Sequence, residues 1–314
     1  MSNDHRPITI GTRGSALALW QANWVKSELE RRYPGIEVGM EIIKTKGDKI
    51  LDVPLAQVGG KGLFVKEIED ALLEGRIDLA VHSMKDVPTE LPEGLQVALI
   101  PPREDPRDAF FSNNGRKLAE LGRGAVVGTS SLRRKAQLLN AFPDLEIRDL
   151  RGNVDTRLKK LDRGEYDAII LAAAGVKRLG WAERITEILE PEISLPAIAQ
   201  GALGIETRID DDFNNRRLAF FHDEKTALAV RAERALLKTL EGGCQVPIAA
   251  FATVADDNLV TLTGLVAALD GRQIIKEKMS GTEPEPLGES LARTLLERGA
   301  EQLLAECMDL EGGR

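Results

Sequence analysis

The chain has 314 residues, of which 43% are hydrophobic and 29% charged, with a net charge of −8; this is a globular composition with length for two or three domains of ~150 residues or fewer. The acidic balance, with only eight Phe, three Trp and two Tyr, excludes the basic, base-stacking surfaces by which nucleic acids are held. The longest uncharged stretch, Gly242–Ala255, is shorter than the ~20 apolar residues of a membrane span, and Met1–Arg6 leads into no signal-peptide core, so no membrane partner and a cytoplasmic location are expected.

Strands and helices alternate through the first two-thirds. Ile8–Ile10 reads as a strand running through Gly11-Thr12-Arg13-Gly14-Ser15 into a helical pattern at Leu17, Leu19, Trp20, Trp24, Val25 and Leu29. A second strand is expected at Val38–Thr45, a helix at Phe64–Leu73 and a strand at Leu79–His82. Residues 46–62, with Gly47, Gly59, Gly60 and Gly62 among Lys46, Lys49 and Lys61, read as a mobile basic loop.

A second series starts at Ala125-Val126-Val127 and passes through Gly128-Thr129-Ser130-Ser131 into a helix over Leu132–Asn140. Ile147–Leu150 then leads through Arg151-Gly152-Asn153 into Val154–Leu161, and Tyr166–Leu171 is an apolar strand. Apolar, non-alternating strands between helices imply mostly parallel sheets covered on both faces.

From Cys244 the texture changes. Three strand-like runs, Ile248–Val254, Leu259–Ala267 and Arg272–Lys278, are joined by Asp/Gly turns and followed by a helix over Leu287–Cys307. The expected architecture is therefore α/β: two α/β domains of the periplasmic-binding-protein kind joined by hinge strands, plus a small α+β C-terminal domain. The domains are expected at 1–101 with 202–220, at 107–195, and at 224–314, with hinges near 101–107 and 191–202.

Three strand-to-helix turns share one chemistry: Thr12-Arg13-Gly14-Ser15, Thr129-Ser130-Ser131-Leu132-Arg133-Arg134, and Arg151-Gly152-Asn153 with Arg157. Free N–H groups at helix starts, hydroxyl donors and guanidinium forks all suit anions. Any single turn is explained by an N-cap and a solvated arginine. Three at the carboxyl edges of α/β sheets repel one another unless an anion lies among them. Neither GxxxxGK[ST] nor GxGxxG is present, so several carboxylates suit the turns as well as phosphates do.

Asp86, in Val81-His82-Ser83-Met84-Lys85-Asp86-Val87-Pro88, is a carboxylate placed to stabilise a developing cation or move a proton, whereas His82 reads as a packed strand residue. The chain has two cysteines and three scattered histidines, and no pattern for zinc or a disulfide framework, so no metal is expected. Cys307 lies on an apolar helical face beside Leu303 and Leu304. Cys244 lies in the shaped loop Glu241-Gly242-Gly243-Cys244-Gln245-Val246-Pro247, where a thiol is open to alkylation.

These segments, with Leu17-Ala18-Leu19-Trp20-Gln21, Val58-Gly59-Gly60-Lys61-Gly62-Leu63-Phe64, Leu195-Pro196-Ala197 and Gln200-Gly201, resemble the porphobilinogen deaminase family along essentially the whole chain. The resemblance implies a monomeric transferase of haem biosynthesis that condenses four porphobilinogen molecules, with loss of ammonia, and releases hydroxymethylbilane by hydrolysis. It implies a dipyrromethane cofactor held by Cys244 through a thioether, with Ser83, Lys85, Thr129, Ser131, Arg133 and Arg134 around it. Arg13, Ser15, Arg151, Arg157 and Arg178 would take substrate carboxylates, and Asp86 would accept pyrrole N–H groups and stabilise positive charge. Asp155 sits beside the proposed carboxylate sites and could trim their field; Lys61 and Phe64 could cover the site. The competing readings are a non-catalytic hinged two-domain protein that binds a small polyanion and an anion-sensing regulator. The Cys244 loop and the third domain count against the first, and the absence of a DNA-binding helix pair or basic arm against the second.

Overall fold

The structure, a computed structural model, describes residues 6–49, 62–240 and 246–312. It folds into two compact units, one of residues 6–49, 62–103 and 202–227, the other of 104–201 and 228–312. The chain passes from one unit to the other at 103/104, 201/202 and 227/228.

The first unit contains β1 (Ile8–Thr12), α1 (Ala16–Arg32), β2 (Val38–Ile42), α2 (Lys46–Lys49), α3 (Lys66–Leu73), β3 (Leu79–Ser83), β4 (Leu95–Leu99), β10 (Leu203–Arg208) and α7 (Asp212–Leu218). Its sheet runs β2-β1-β3-β10-β4, with β1 parallel to β2 and β3, and β10 antiparallel to both of its neighbours. Ser15 caps α1 by accepting from the Ala18 N–H at 3.2 Å. The helix buries Gln21, Ala22, Val25 and Leu29, a stripe that packs with Ile8, Ile10, Leu79, Val81 and Ile205. The opposite face of the sheet places Ala80 and Leu95 against Ile68, Ala71 and Leu72 of α3. β3 is thus buried on both faces, which is why its sequence is apolar without alternation. The expected loop 46–62 begins as the four-residue α2; residues 50–61 lie outside the described residues.

The second unit repeats this plan with β5 (Asp108–Ser112), β6 (Val126–Gly128), α4 (Leu132–Ala141), β7 (Glu146–Arg148), α5 (Val154–Asp162), β8 (Ala168–Ala172), α6 (Ala173–Arg178) and β9 (Glu187–Leu189). The order is β7-β6-β8-β5-β9, with β6 parallel to β7 and β8, and β5 antiparallel to β8 and β9. In each sheet the antiparallel strand is the first one formed after the chain has crossed from the other unit, β5 after 103/104 and β10 after 201/202. The sheets are therefore mixed, where the sequence pattern alone suggested mostly parallel pairing.

The third sheet is an antiparallel meander of β11 (Ile248–Val254), β12 (Val260–Ala267) and β13 (Ile274–Gly281). It packs with α8 (Glu224–Thr239) and α9 (Pro284–Leu295). A Cβ at Gly288 would lie 2.3 Å from the Ala232 carbonyl, so glycine sets how closely α9 approaches α8. The single helix expected over Leu287–Cys307 is broken: Gly299 has φ +104° and divides α9 from α10 (Glu301–Gly312). Cys307 is buried on α10 as expected. Ala249, Leu265 and Ala267 share a core with Ala136 and Leu195, and Asn140 donates to the Gly271 carbonyl at 2.8 Å, which joins the third sheet to the second within one unit.

Asp108, fully buried at the start of β5, ties these parts together. It takes Arg133 at 2.9 Å and Arg134 at 2.7 Å, and accepts from Ser194 at 2.7 Å and Gln200 at 2.9 Å. Burial works to raise its carboxyl, but Arg133 and Arg134 overcome this and hold it well below the usual carboxylate range. Its contribution to stability is therefore present above the ordinary Asp range and lost as pH falls through and below it. Asp108→Ala leaves two buried guanidiniums without their anion and should cost about 3–5 kcal/mol in urea unfolding; a loss below about 1 kcal/mol would show that the network carries little.

Candidate functional site

In the first unit an open pocket is lined by Arg13, Ser15, Gln21, Phe64, His82, Ser83 and Asp86, among others. Two structural features converge there, the β1–α1 turn and the end of β3. Asp86 closes a 3-10 turn, Met84–Asp86, that continues β3, and its side chain is exposed. The turn is held from β10, because the Met84 N–H donates to the Ala202 carbonyl at 3.0 Å and a Cβ at Gly204 would strike the Met84 sulfur. Ser83 Oγ accepts from Gln21 Nε2 at 2.9 Å, and Lys85 is exposed on the turn. Gln21 was not singled out by the sequence pattern, which shows it only as a polar residue within an apolar helical stripe.

Arg13 holds a carboxylate in this structure. Its guanidinium binds Asp48 through Nε at 3.1 Å and Nη2 at 2.5 Å and stacks on Phe64, 4.2 Å from the ring centre. Burial raises the Asp48 carboxyl, but hydrogen bonds from Arg13 and Thr45 outweigh this and hold it below the usual range. The fork that the sequence marks as a carboxylate receptor thus has an internal carboxylate as its ligand.

Behind the pocket lies a group of acids that the sequence pattern passed over. His82 is packed on β3, as expected, with Nε2 at 2.8 Å from Glu206 Oε2. Its partner on β10 is fully buried, and Glu69 of α3 is nearly so. One oxygen of each carboxyl, Glu206 Oε1 and Glu69 Oε1, is buried without a hydrogen-bond partner among the described residues. Burial, followed by the charge of Glu206, pushes Glu69 up to about 7, while His82 pulls the other way. The only sequence sign is an acid inside the apolar run Leu203–Ile205 and its extension.

The second unit gathers cations. Thr129 is buried, its N–H donating to the Arg148 carbonyl at 2.9 Å and its Oγ1 accepting from the Ser131 N–H at 3.2 Å. Ser131 starts α4, whose first turn carries Arg133 and Arg134. Both arginines are buried and turned toward Asp108, with Arg133 also donating to the Leu195 carbonyl at 2.5 Å and Arg134 to the Ile170 carbonyl at 3.1 Å. The Nε of each is buried without a partner among the described residues. Arg157 on α5 donates to the Gly152 carbonyl at 2.7 Å. Burial, and then repulsion from Arg134 and Arg151, push its guanidinium down to about 10. Arg134, Arg151 and Arg157 therefore form one like-charged group. Arg178 stands elsewhere, at the end of α6, where it donates to the Gly201 carbonyl at 2.8 Å and burial lowers it to about 10. Asp155, which the sequence offered as a residue that could trim the field here, pairs with Lys159 at 3.7 Å.

The residues present fit a polycarboxylate such as the implied dipyrromethane, since the buried Nε groups of Arg133 and Arg134 lack acceptors among the described residues and only Asp108 offsets the charge gathered at Arg133, Arg134, Arg151 and Arg157 there. Cys244 and Lys61 lie outside the described residues; the chain is described to Leu240 at the end of α8 and again from Val246 before β11. Among the described residues no group of acids, histidines and cysteines could hold a metal, and no helix is long and apolar enough to cross a membrane.

Comparison with known proteins gives two family matches. Residues 8–216 match the model for the porphobilinogen deaminase dipyrromethane cofactor-binding domain, and residues 227–297 the model for the porphobilinogen deaminase C-terminal domain. The porphobilinogen deaminase of Geobacter sulfurreducens is 61% identical over 309 residues, covering 98% of this chain and 96% of its own length. That of Pelobacter propionicus is 60% identical over 308 residues, covering 98% and 99%. A solved probable amino-acid transporter extracellular-binding protein from Bacillus subtilis aligns at 12% identity with a TM-score of 0.42, over 68% of this chain and 89% of that one.

The repulsion at Arg157 has a measurable consequence. A guanidinium lowered by burial and like charge destabilises the folded chain while no anion is bound. Arg157→Met should leave the thermal midpoint of the ligand-free chain unchanged or higher, while removing most of the rise produced by an added aliphatic tetracarboxylate. A variant that melts several degrees lower without ligand, yet responds fully to the tetracarboxylate, would contradict this reading.

Proposed function

The chain belongs to the porphobilinogen deaminase family, and from its residues we propose how it carries out that family's reaction. It is a transferase that condenses four porphobilinogen molecules head to tail on a dipyrromethane primer, releases ammonia at each addition and yields hydroxymethylbilane on hydrolysis, in haem biosynthesis. The observation that carries the assignment of roles is geometric: the buried Nε groups of Arg133 and Arg134 have no acceptor among the described residues, and Arg151 and Arg157 add positive charge to the same group.

Cys244 holds the cofactor through a thioether. When bound, the dipyrromethane supplies a fixed, electron-rich pyrrole carbon as nucleophile. Thr129 and Ser131 supply hydroxyl donors, while Arg133 and Arg134 turn their unused Nε groups toward the cofactor's acid side arms. Ser83 and Lys85, on the first unit, are further polar residues assigned to the cofactor. Arg151, Arg157 and Arg178 take the acetate and propionate groups of incoming or added rings. Arg13 exchanges Asp48 for a substrate carboxylate, with Ser15 beside it, and the exchange costs little because one carboxylate replaces another. Phe64 covers this end of the pocket.

Asp86 accepts a hydrogen bond from a pyrrole N–H. Its charge stabilises the methylene-pyrrole cation left when the C–N bond of the aminomethyl arm breaks and the amino group departs as ammonia. One aspartate serving four additions requires movement, which we place in the hinge segments 101–107 and 191–202, where the chain crosses between units. The division into 1–101 with 202–220, 107–195 and 224–314 then gives the reacting aspartate, the anion grip and the tether to separate parts. The enzyme works as a cytoplasmic monomer.

Intact mass of the purified protein should exceed the chain by two pyrrole units, and Cys244→Ser should bring it back to the chain mass. Asp86→Asn should keep the added mass while ammonia release falls ~100-fold or more. An unmodified Cys244 in active enzyme, or near-normal ammonia release by Asp86→Asn, would overturn these assignments.

A further inference from the structure

We propose that His82, oriented by Glu206 and backed by Glu69, is the proton acceptor of the Asp86 pocket. The inference rests on the proposed role of Asp86 and extends it. Each condensation needs two things from the protein. Positive charge must be stabilised while ammonia leaves, and a proton must be removed from the pyrrole carbon that has formed the new bond. A carboxylate engaged with ring N–H groups serves the first need and is occupied by it. The second needs a separate base.

His82 lines the pocket that Asp86 lines, and its Nε2 is committed to Glu206 at 2.8 Å. That contact selects the tautomer with the proton on Nε2 and leaves Nδ1 as the basic nitrogen. The orienting acid cannot swing away, because Glu206 is fully buried on β10, whose pairing with β3 sets Gly204 opposite His82. The base–orienter pair thus has the arrangement of a histidine activated by a buried carboxylate. In the step, the C–H bond at the pyrrole carbon breaks and its electron pair restores the aromatic ring. The proton goes to Nδ1, and the anionic Glu206 balances the imidazolium. Release of that proton to water resets the residue before the next addition.

Glu69 adjusts the balance. Two carboxyl groups with partnerless buried oxygens cannot both remain ionised at no cost, and Glu69 is the one that takes up a proton near neutrality. A neutral Glu69 leaves Glu206 as the cluster's anion. The surrounding elements add few charges. From α1 the buried residues are Gln21, Ala22, Val25 and Leu29; β1 sets Ile10 and Gly11 beside β3; β4 sets Val97 beside Glu206. The charged groups are Asp70 next to Glu69 on α3, Arg13 and Asp86 across the pocket, and Arg208 further along β10. Arg208 is spent on the Leu72 and Ile77 carbonyls and Asp211, and Arg13 on Asp48.

The test is the pH profile of kcat for ammonia release by holoenzyme, with intact mass and thermal midpoint measured on the same samples. Glu206→Gln should keep the dipyrrole mass and a KM within about twofold, while kcat falls ~10- to 100-fold. Its acid limb should move to lower pH, because the imidazolium has lost its counter-ion. Glu69→Gln should move the limb the same way by less, with kcat reduced under about tenfold. It should also flatten the fall in thermal midpoint expected of the wild type between about pH 5 and 8, since a raised carboxyl favours the fold only while protonated. A wild-type acid limb in both variants, with kcat lowered equally at every pH, would reduce the cluster to a structural one and overturn the proposal.

Should neither variant fold, the wild-type holoenzyme decides: histidine nitrogen NMR, assigned against His82→Gln, must show neutral His82 with its proton on Nε2. A proton on Nδ1 overturns the proposal. A wild type that carries no dipyrrole and releases no ammonia would instead overturn the reading of Asp86 and Cys244.

Discussion

Like charges held together in a partly buried place are the constraint on which the rest depends. Burial, and after it the charges of Arg134 and Arg151, lower the Arg157 guanidinium. Asp108 neutralises the inner side of the group, at Arg133 and Arg134, and nothing described neutralises the outer side. The fold tolerates this because α4 and α5 are fixed by apolar packing on both faces of their sheet: Leu138 with Phe110 and Ile170 on one face, Leu158 and Leu161 with Ile169 and Leu171 on the other. Packing of that kind is worth ~1.5–3 kcal/mol for each fully buried aliphatic side chain. It offsets the electrostatic strain at the edge where the arginines gather.

The topology places that edge. Strand β5 carries Asp108 into the second sheet immediately after the chain crosses from the first unit, and the return segment brings Ser194 and Gln200 to the same carboxylate. The segment is held further by Glu233 of α8, which accepts from the Ala199 N–H at 2.6 Å and the Ala252 N–H at 2.8 Å. Ala199 sits at φ +57°, and a Cβ at Gly201 would meet the Glu104 carbonyl at 2.4 Å, so the two crossing segments touch backbone to backbone. One buried acid therefore links the anion grip to the segment through which the chain returns to the first unit.

Much of this was legible in the sequence because it rests on local rules. The Ser15 cap, the apolar run Leu79–Val81 and the arginines at the start of α4 are set by neighbours in sequence, and the structure has them where the pattern places them. The mixed sheet order was not legible, because β5 and β10 find their partners only after long crossings and carry no local sign of direction. The break at Gly299 was hidden by apolar periodicity that continues on both sides of it. Arg133 and Arg134 were read as cofactor ligands, and their long-range partner Asp108 was not seen; only the tertiary fold shows that their Nη groups are already committed while Nε remains. The Glu69–His82–Glu206 cluster was missed for the same reason, since its members come from α3, β3 and β10.

The central claim is that the arginine group exists to hold the acid side arms of a pyrrole chain. A crystal structure of the holoenzyme tests it most directly. The account predicts carboxylate oxygens within hydrogen-bond distance of Nε of Arg133 or Arg134 and of the guanidiniums of Arg151 and Arg157. Side arms directed into solvent, with those guanidiniums still facing one another, would contradict it.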